Sequence, residues 1–151
     1  MLLSVKVPLW VLPLALLLAG CDPPVAQHRE EVPLRLYRWS PEGDLPPEPA
    51  PGEPLRVEVL LHRQGALVQA VLRTWGGLPA EGDAALLLEG PGGERAGEAY
   101  GDGKRPVAVR GRAGRPACAW WMVSLSPDPW REDETETRFY QAHGRVCEEG
   151  R

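Results

Sequence analysis

Beyond residue 20 the chain predicts an all-β fold, an antiparallel β-sandwich of seven or eight short strands, and three observations carry that prediction. Short runs alternate with period two, as in Leu55, Val57, Val59 and Leu61 against Arg56, Glu58 and His62. Turn residues punctuate these runs at Gln64-Gly65, Gly76-Gly77, Gly90-Pro91-Gly92-Gly93 and Gly101-Asp102-Gly103. No stretch in this region carries an apolar pattern of helical period bounded by capping residues.

The elements follow in chain order. VPLRLYRWS, residues 32 to 40, predicts a short first strand in which Leu34 and Leu36 alternate with Arg35 and Tyr37; Pro33 suits it to a sheet edge. SPEGDLPPEPAPGEP, residues 40 to 54, has six prolines in fifteen residues, which excludes a helix or a central strand. As a polyproline spacer it reaches ~45 Å at ~3.1 Å per residue; as a covered loop it links two strands, and the strand before it favours the loop.

LRVEVLLHR and ALVQAVLRTW then pair as a hairpin about Gln64-Gly65. AALLLEG, a short piece around Ala99 and Tyr100, and RPVAVRG (105 to 111) supply further strands. PACAWWMVSLS (116 to 126) and TRFYQAHGRVC (137 to 147) are the last two. Strands of this number and spacing suggest a sandwich of immunoglobulin-like type. That likeness is one of architecture, covers Leu55 to Cys147, and carries no function with it.

The segment before the first strand is of a different kind. MLLSVKVPLWVLPLALLLAG has one basic residue, Lys6, no acid, and fourteen uncharged residues from Val7 to Gly20, the layout of a secretory signal peptide. Pro8 and Pro13 interrupt a run already short for a spanning helix, which needs roughly 20 apolar residues.

Leu18-Ala19-Gly20-Cys21 resembles the lipobox of bacterial lipoproteins: a branched apolar residue, two small residues, then cysteine. The resemblance implies cleavage after Gly20, a diacylglyceryl group on the Cys21 thiol, and acylation, for instance by palmitate, of the new amino terminus. Residues 21 to 31 would then form a lipidated tether and residues 32 to 151 the domain. Two or three acyl chains hold stably where one holds marginally. The implied location is the outer face of the bacterial cytoplasmic membrane or the cell envelope, with the bilayer as partner through Cys21. Asp22 resembles the residue that favours inner-membrane retention in one sorting system.

With Cys21 assigned to lipid, Cys118 and Cys147 remain, a disulfide candidate in an oxidising compartment. If they face each other across antiparallel strands, Trp120 opposes Arg145, Met122 opposes His143 and Ser124 opposes Gln141. The other face then sets Ala119 against Val146, Trp121 against Gly144, Val123 against Ala142 and Leu125 against Tyr140. That second set is nearly all apolar and puts the largest side chain over the smallest, as an inner face requires. Free thiols are the alternative, but there is no CxxC motif.

Cys118, Met122, His143 and Cys147 are also the ligand types of a copper(I) site. Four residues along a strand span ~13 Å, too far for one metal, so no metal site and no cofactor is expected.

Removing the signal leaves 16 basic against 21 acidic side chains, a balance that disfavours nucleic acid or an anionic lipid surface as partner. His28, His62 and His143 sit in no catalytic motif, Ser124 and Ser126 lack a nucleophile-elbow setting, and the acidic run from Arg131 to Glu136 lacks calcium-loop spacing. The expectation is therefore not an enzyme but a noncatalytic accessory or interaction module that engages another envelope protein. The alternative is small-ligand or glycan binding through exposed tryptophans. Trp120, opposite Arg145, reads as part of a covered sheet face or as a stacking surface; Trp130, in SPDPW, as a contact residue or as a lid on the core.

Overall fold

The computed structural model describes residues 26–50, 52–77, 81–103, 105–126 and 137–149. The signal segment, Cys21, Trp130 and the acidic run lie outside these residues. The described residues form two antiparallel sheets and no helix.

The first sheet runs β1 (Ala26–Val32), β5 (Leu55–Gln64), β6 (Leu67–Gly76), β9 (Val107–Arg112). The second runs β3 (Gly43–Asp44), β2 (Arg35–Ser40), β11 (Thr137–Cys147), β10 (Cys118–Ser126), β7 (Glu81–Glu89), β8 (Arg95–Gly101), with β4 (Glu48–Pro49) also on β2.

The all-β sandwich is as predicted, with eleven strands among the described residues in place of seven or eight. The difference lies at the amino-terminal side. Part of the segment read as tether forms β1, an edge strand paired with β5 along its whole length, from Ala26 opposite Leu61 to Val32 opposite Leu55. Its polar run Gln27-His28-Arg29-Glu30-Glu31 is tolerated because an edge strand has little sheet over it and its charges meet partners on β5. The chain then crosses between sheets at Pro33-Leu34, where Leu34 is buried. The predicted strand over 32 to 40 is thus split between two sheets, and its second half, β2, lies inside one.

The proline-rich segment folds back on β2. Trp39 pairs with Asp44 and Arg35 with Pro49, while the Ala50 amide donates to the Leu34 carbonyl at 3.0 Å. Proline is acceptable in β4 because that strand is at the sheet margin.

The core lies between the sheets and is built by alternation. Leu55, Val57, Val59 and Leu61 of β5 and Val68, Ala70 and Leu72 of β6 meet Ala84, Leu86 and Leu88 of β7 and Ala119, Trp121, Val123 and Leu125 of β10, all buried. On one side the sheets close almost edge to edge. A Cβ on Gly111 of β9 would lie 2.2 Å from the Ala96 carbonyl oxygen of β8, so a side chain there would hold the edges apart.

The β10–β11 register is the predicted one at all eight positions from Cys118 opposite Cys147 to Leu125 opposite Tyr140. Trp121, 2% exposed, lies on Gly144. Cys118 and Cys147 form a disulfide, with Cα atoms 4.0 Å apart.

Candidate binding face

Alternation fixes what each sheet turns outward. On the second sheet the outward residues of β10 are Trp120, Met122 and Ser124. They are flanked by Leu87 and Ala85 of β7 and by Arg145, His143 and Gln141 of β11. Tyr100 of β8 stands opposite Ala85 and is 74% exposed; Trp120 and Met122 are each 40% exposed.

Trp120 is held on both sides. Its indole N–H donates to Glu89 at 2.7 Å, and the Arg145 guanidinium lies 5.0 Å from the ring centroid. Such a cation–ring contact is worth ~0.5–1 kcal/mol at an exposed site. Arg145 also donates to Cys118 Sγ at 3.2 Å, which ties the ring's support to the disulfide. Trp120 is therefore a ring fixed in orientation with part of its surface open.

Further along the face, Tyr37 of β2 and Phe139 of β11 sit opposite each other and stack, with centroids 5.4 Å apart and planes at 7°. With Arg38, Trp39, Asp44 and Leu45 they line a groove of about 310 Å³. Trp39 and Leu45 are each 52% exposed. The β2–β3 turn forms one wall, closed by the Leu45 amide on the Arg38 carbonyl (3.2 Å) and the Ser40 hydroxyl on the Gly43 carbonyl (3.0 Å). A groove of aromatic walls with one arginine and one aspartate at its margin offers stacking surface and a few directional polar groups.

No single stretch of the sequence encodes this groove. Tyr37, Trp39 and Phe139 share it only because β2 pairs with β11, strands at opposite ends of the domain. The odd-numbered aromatics Tyr37 and Trp39 were the available signal, set out of phase with Leu34 and Leu36.

Two buried carboxylates also escaped the sequence reading. Glu58 projects from the outer face of the first sheet between Arg29 of β1 and Arg73 of β6, each directly opposite it. The hydrogen bond from Arg29 holds its carboxyl below the ordinary glutamate range; burial opposes the shift, and the Gln27 amide and Arg73 reinforce it.

Glu148 accepts from Arg63 Nε through both oxygens, at 3.1 and 2.9 Å, and from the Ala117 amide at 3.0 Å. Arg63 also donates to the carbonyls of Gly65 (3.0 Å), Ala113 (2.8 Å) and Gly114 (3.1 Å). Here too the arginine hydrogen bond dominates and lowers the carboxyl against the penalty of burial. Both groups are held as anions with their oxygens engaged. They fasten strands together and are unsuited to donate a proton near neutral pH.

Of the histidines, His28 lies 3.4 Å from Glu30, His62 is on the outer face of the first sheet, and His143 opposes Met122. The two cysteines of the considered copper set are joined to each other. Among the described residues no three His, Cys, Asp or Glu side chains gather as a metal site.

No protein-family model, no curated protein and no solved structure matches the chain.

Proposed function

We propose that the chain is a membrane-anchored bacterial lipoprotein whose sandwich acts as a noncatalytic interaction module in the cell envelope. Acylated Cys21 is the anchor, and another envelope protein is the partner of the open face. The observation that carries the module reading is the outer face of the second sheet, where Tyr100, Trp120 and Met122 stand exposed and Trp120 is pre-oriented by Glu89 and Arg145. Rigid, partly exposed aromatic rings lose little freedom on contact, which is why such residues dominate binding energy at protein interfaces.

Two experiments test the proposal. Replacing Cys21 by serine abolishes labelled-lipid incorporation if the thiol is acylated; unchanged incorporation and membrane association would remove the anchor. Photo-crosslinking in intact cells from positions 100 and 120 yields discrete protein adducts that positions on the first sheet do not. Their absence, with loss of a small-molecule pool on gene deletion, would count against a protein partner.

The groove supports a second reading, binding of a small envelope ligand or glycan fragment against Trp39 and the Tyr37–Phe139 stack. Its volume is at the lower end of the range for small-molecule sites, roughly 300 to 1,000 Å³. Tryptophan fluorescence titrated with cell-wall fragments, compared with Trp39→Phe, decides it: a response lost in the variant supports binding, and none across the series excludes it.

A further inference from the structure

The chain is acidic overall, yet its charge is sorted by face. The outer face of the first sheet presents five arginines, Arg29, Arg56, Arg73, Arg110 and Arg112, against two glutamates, Glu31 and Glu58. Both glutamates are already engaged, Glu31 with Arg56 at 3.5 Å and Glu58 with Arg29 and Arg73. Arg110 and Arg112 are exposed on the edge strand β9, with no carboxylate in ion-pair range among the described residues.

The apolar side chains on this face are placed to match. Trp75, 44% exposed, stands beside Arg56 at one end, and Leu67, 41% exposed, beside Arg112 at the other. Leu60 and Val71, partly buried, lie in the row between. Arginine around exposed tryptophan and leucine is the chemistry of a bilayer interface, where guanidinium meets phosphate and the indole sits at headgroup depth.

Chain length adds a second constraint. Five peptide steps separate Cys21 from Ala26, the first residue of β1, and extended chain spans at most ~3.6 Å per step, so β1 starts within ~18 Å of Cys21. If Cys21 is acylated, as proposed above, the start of β1 is held within ~18 Å of the anchored residue, so the face it belongs to stays within reach of the bilayer surface.

The geometry points to the outer face of the first sheet as a docking surface for an anionic phospholipid bilayer. The arginines contact headgroup phosphates, Trp75 and Leu67 enter the interface, and the aromatic face of the second sheet is turned away from the membrane. The acyl chains then fix distance, and the arginine face fixes orientation.

Arginine footprinting tests this on the full chain purified from membranes and reconstituted in protein-free vesicles. The vesicles are phosphatidylcholine alone or phosphatidylcholine mixed with phosphatidylglycerol; phenylglyoxal adducts are quantified by peptide mass spectrometry. Arg56, Arg73, Arg110 and Arg112 should be protected about fivefold or more on the anionic vesicles, since one basic residue near such a surface changes partitioning by about that factor. Arg95 and Arg145 of the second sheet should react equally on both. High salt should weaken the protection, and the variant Arg110→Glu/Arg112→Glu should abolish it.

Equal reactivity on the two vesicles, or protection of Arg95 and Arg145 instead, overturns the proposal. Protection found in native membranes but not in protein-free vesicles also overturns it and assigns the face to a protein. The mass of the Cys21 peptide from the same sample separates the two readings. Lipid present without protection leaves the anchor and removes the docking surface. Protection without lipid supports the docking surface and removes the anchor.

Discussion

Replacing Gly144 by alanine probes the point at which the two longest-range expectations from sequence meet, the β10–β11 register and the packing of the core. An added Cβ would lie 2.6 Å from Trp121 Nε1 and 2.7 Å from Cε2 and Cζ2. Carbon contacts settle at about 3.5–4.0 Å, so ring and strand must separate by roughly 1 Å. Trp121 is among the largest fully buried side chains, so the ring can yield only by displacing its core neighbours. Overpacking of this kind costs ~1–3 kcal/mol, and the stiffer unfolded chain of the alanine variant offsets ~0.4–1 kcal/mol.

The expected net loss is ~1–2 kcal/mol, a fall in Tm of about 3–10 °C for a domain of this size. Thermal unfolding followed by near-ultraviolet circular dichroism, which reports the Trp121 environment, measures it. Gly114→Ala is the control, because its Cβ would meet Pro91 at an ordinary 3.4 Å. The double variant with Trp121→Phe should lose less than the sum of the single changes, since the smaller ring makes room. A Gly144→Ala protein as stable as the parent, or a Gly114→Ala protein destabilised as much, would refute the packing argument.

Three further outcomes are expected. Arg63→Met leaves Glu148 buried without its counter-charge and should cost ~3–5 kcal/mol in denaturant unfolding, with the paired variant Arg63→Met/Glu148→Leu recovering much of it. Because the folded Glu148 and Glu58 carboxyls lie below their ordinary value of 4.5, the stability they confer is complete above that value and drains away as pH falls through the lower folded values; Glu148→Gln should flatten stability against pH in that acid range. Reduction of the Cys118–Cys147 bond, or Cys118→Ser with Cys147→Ser, releases a loop of sequence separation 29 and should lower stability by ~3–4 kcal/mol, measured in denaturant with and without reductant.

What the sequence disclosed depended on whether a feature was local. The β5–β6 hairpin was legible because Leu55 to Leu61 alternate cleanly and Gly65 turns the chain. The β10–β11 pairing was legible despite the intervening segment, since two cysteines and the Trp121–Gly144 match select the same register. Strand β1 was not, because its residues are polar on both faces and only its partner reveals it as an edge strand.

Charge was hidden in another way. Net charge is a sum over the chain, whereas the arginines of β1, β5, β6 and β9 become one face only when these strands are laid side by side. The aromatic groove and the Arg63–Glu148 pair join positions far apart in the chain, and no local pattern encodes them. Cys21 and Trp130 lie outside the described residues, so the lipid anchor rests on its four-residue motif.

The strand order of the second sheet sets the order in which the fold can close. β11 is the last of the described strands, yet it lies inside its sheet, with β2, β3 and β4 on one side and β10, β7 and β8 on the other. As strands are added in chain order, the first sheet can assemble once β9 is present, while the second remains two separate pieces with unpaired edges until β11 arrives. A chain halted before Thr137 exposes two adhesive edges, on β2 and β10, and lacks both Cys147 and Glu148. Closure of the second sheet thus waits on β11, and a copy cut short before that strand is marked for aggregation or proteolysis by its own open strands.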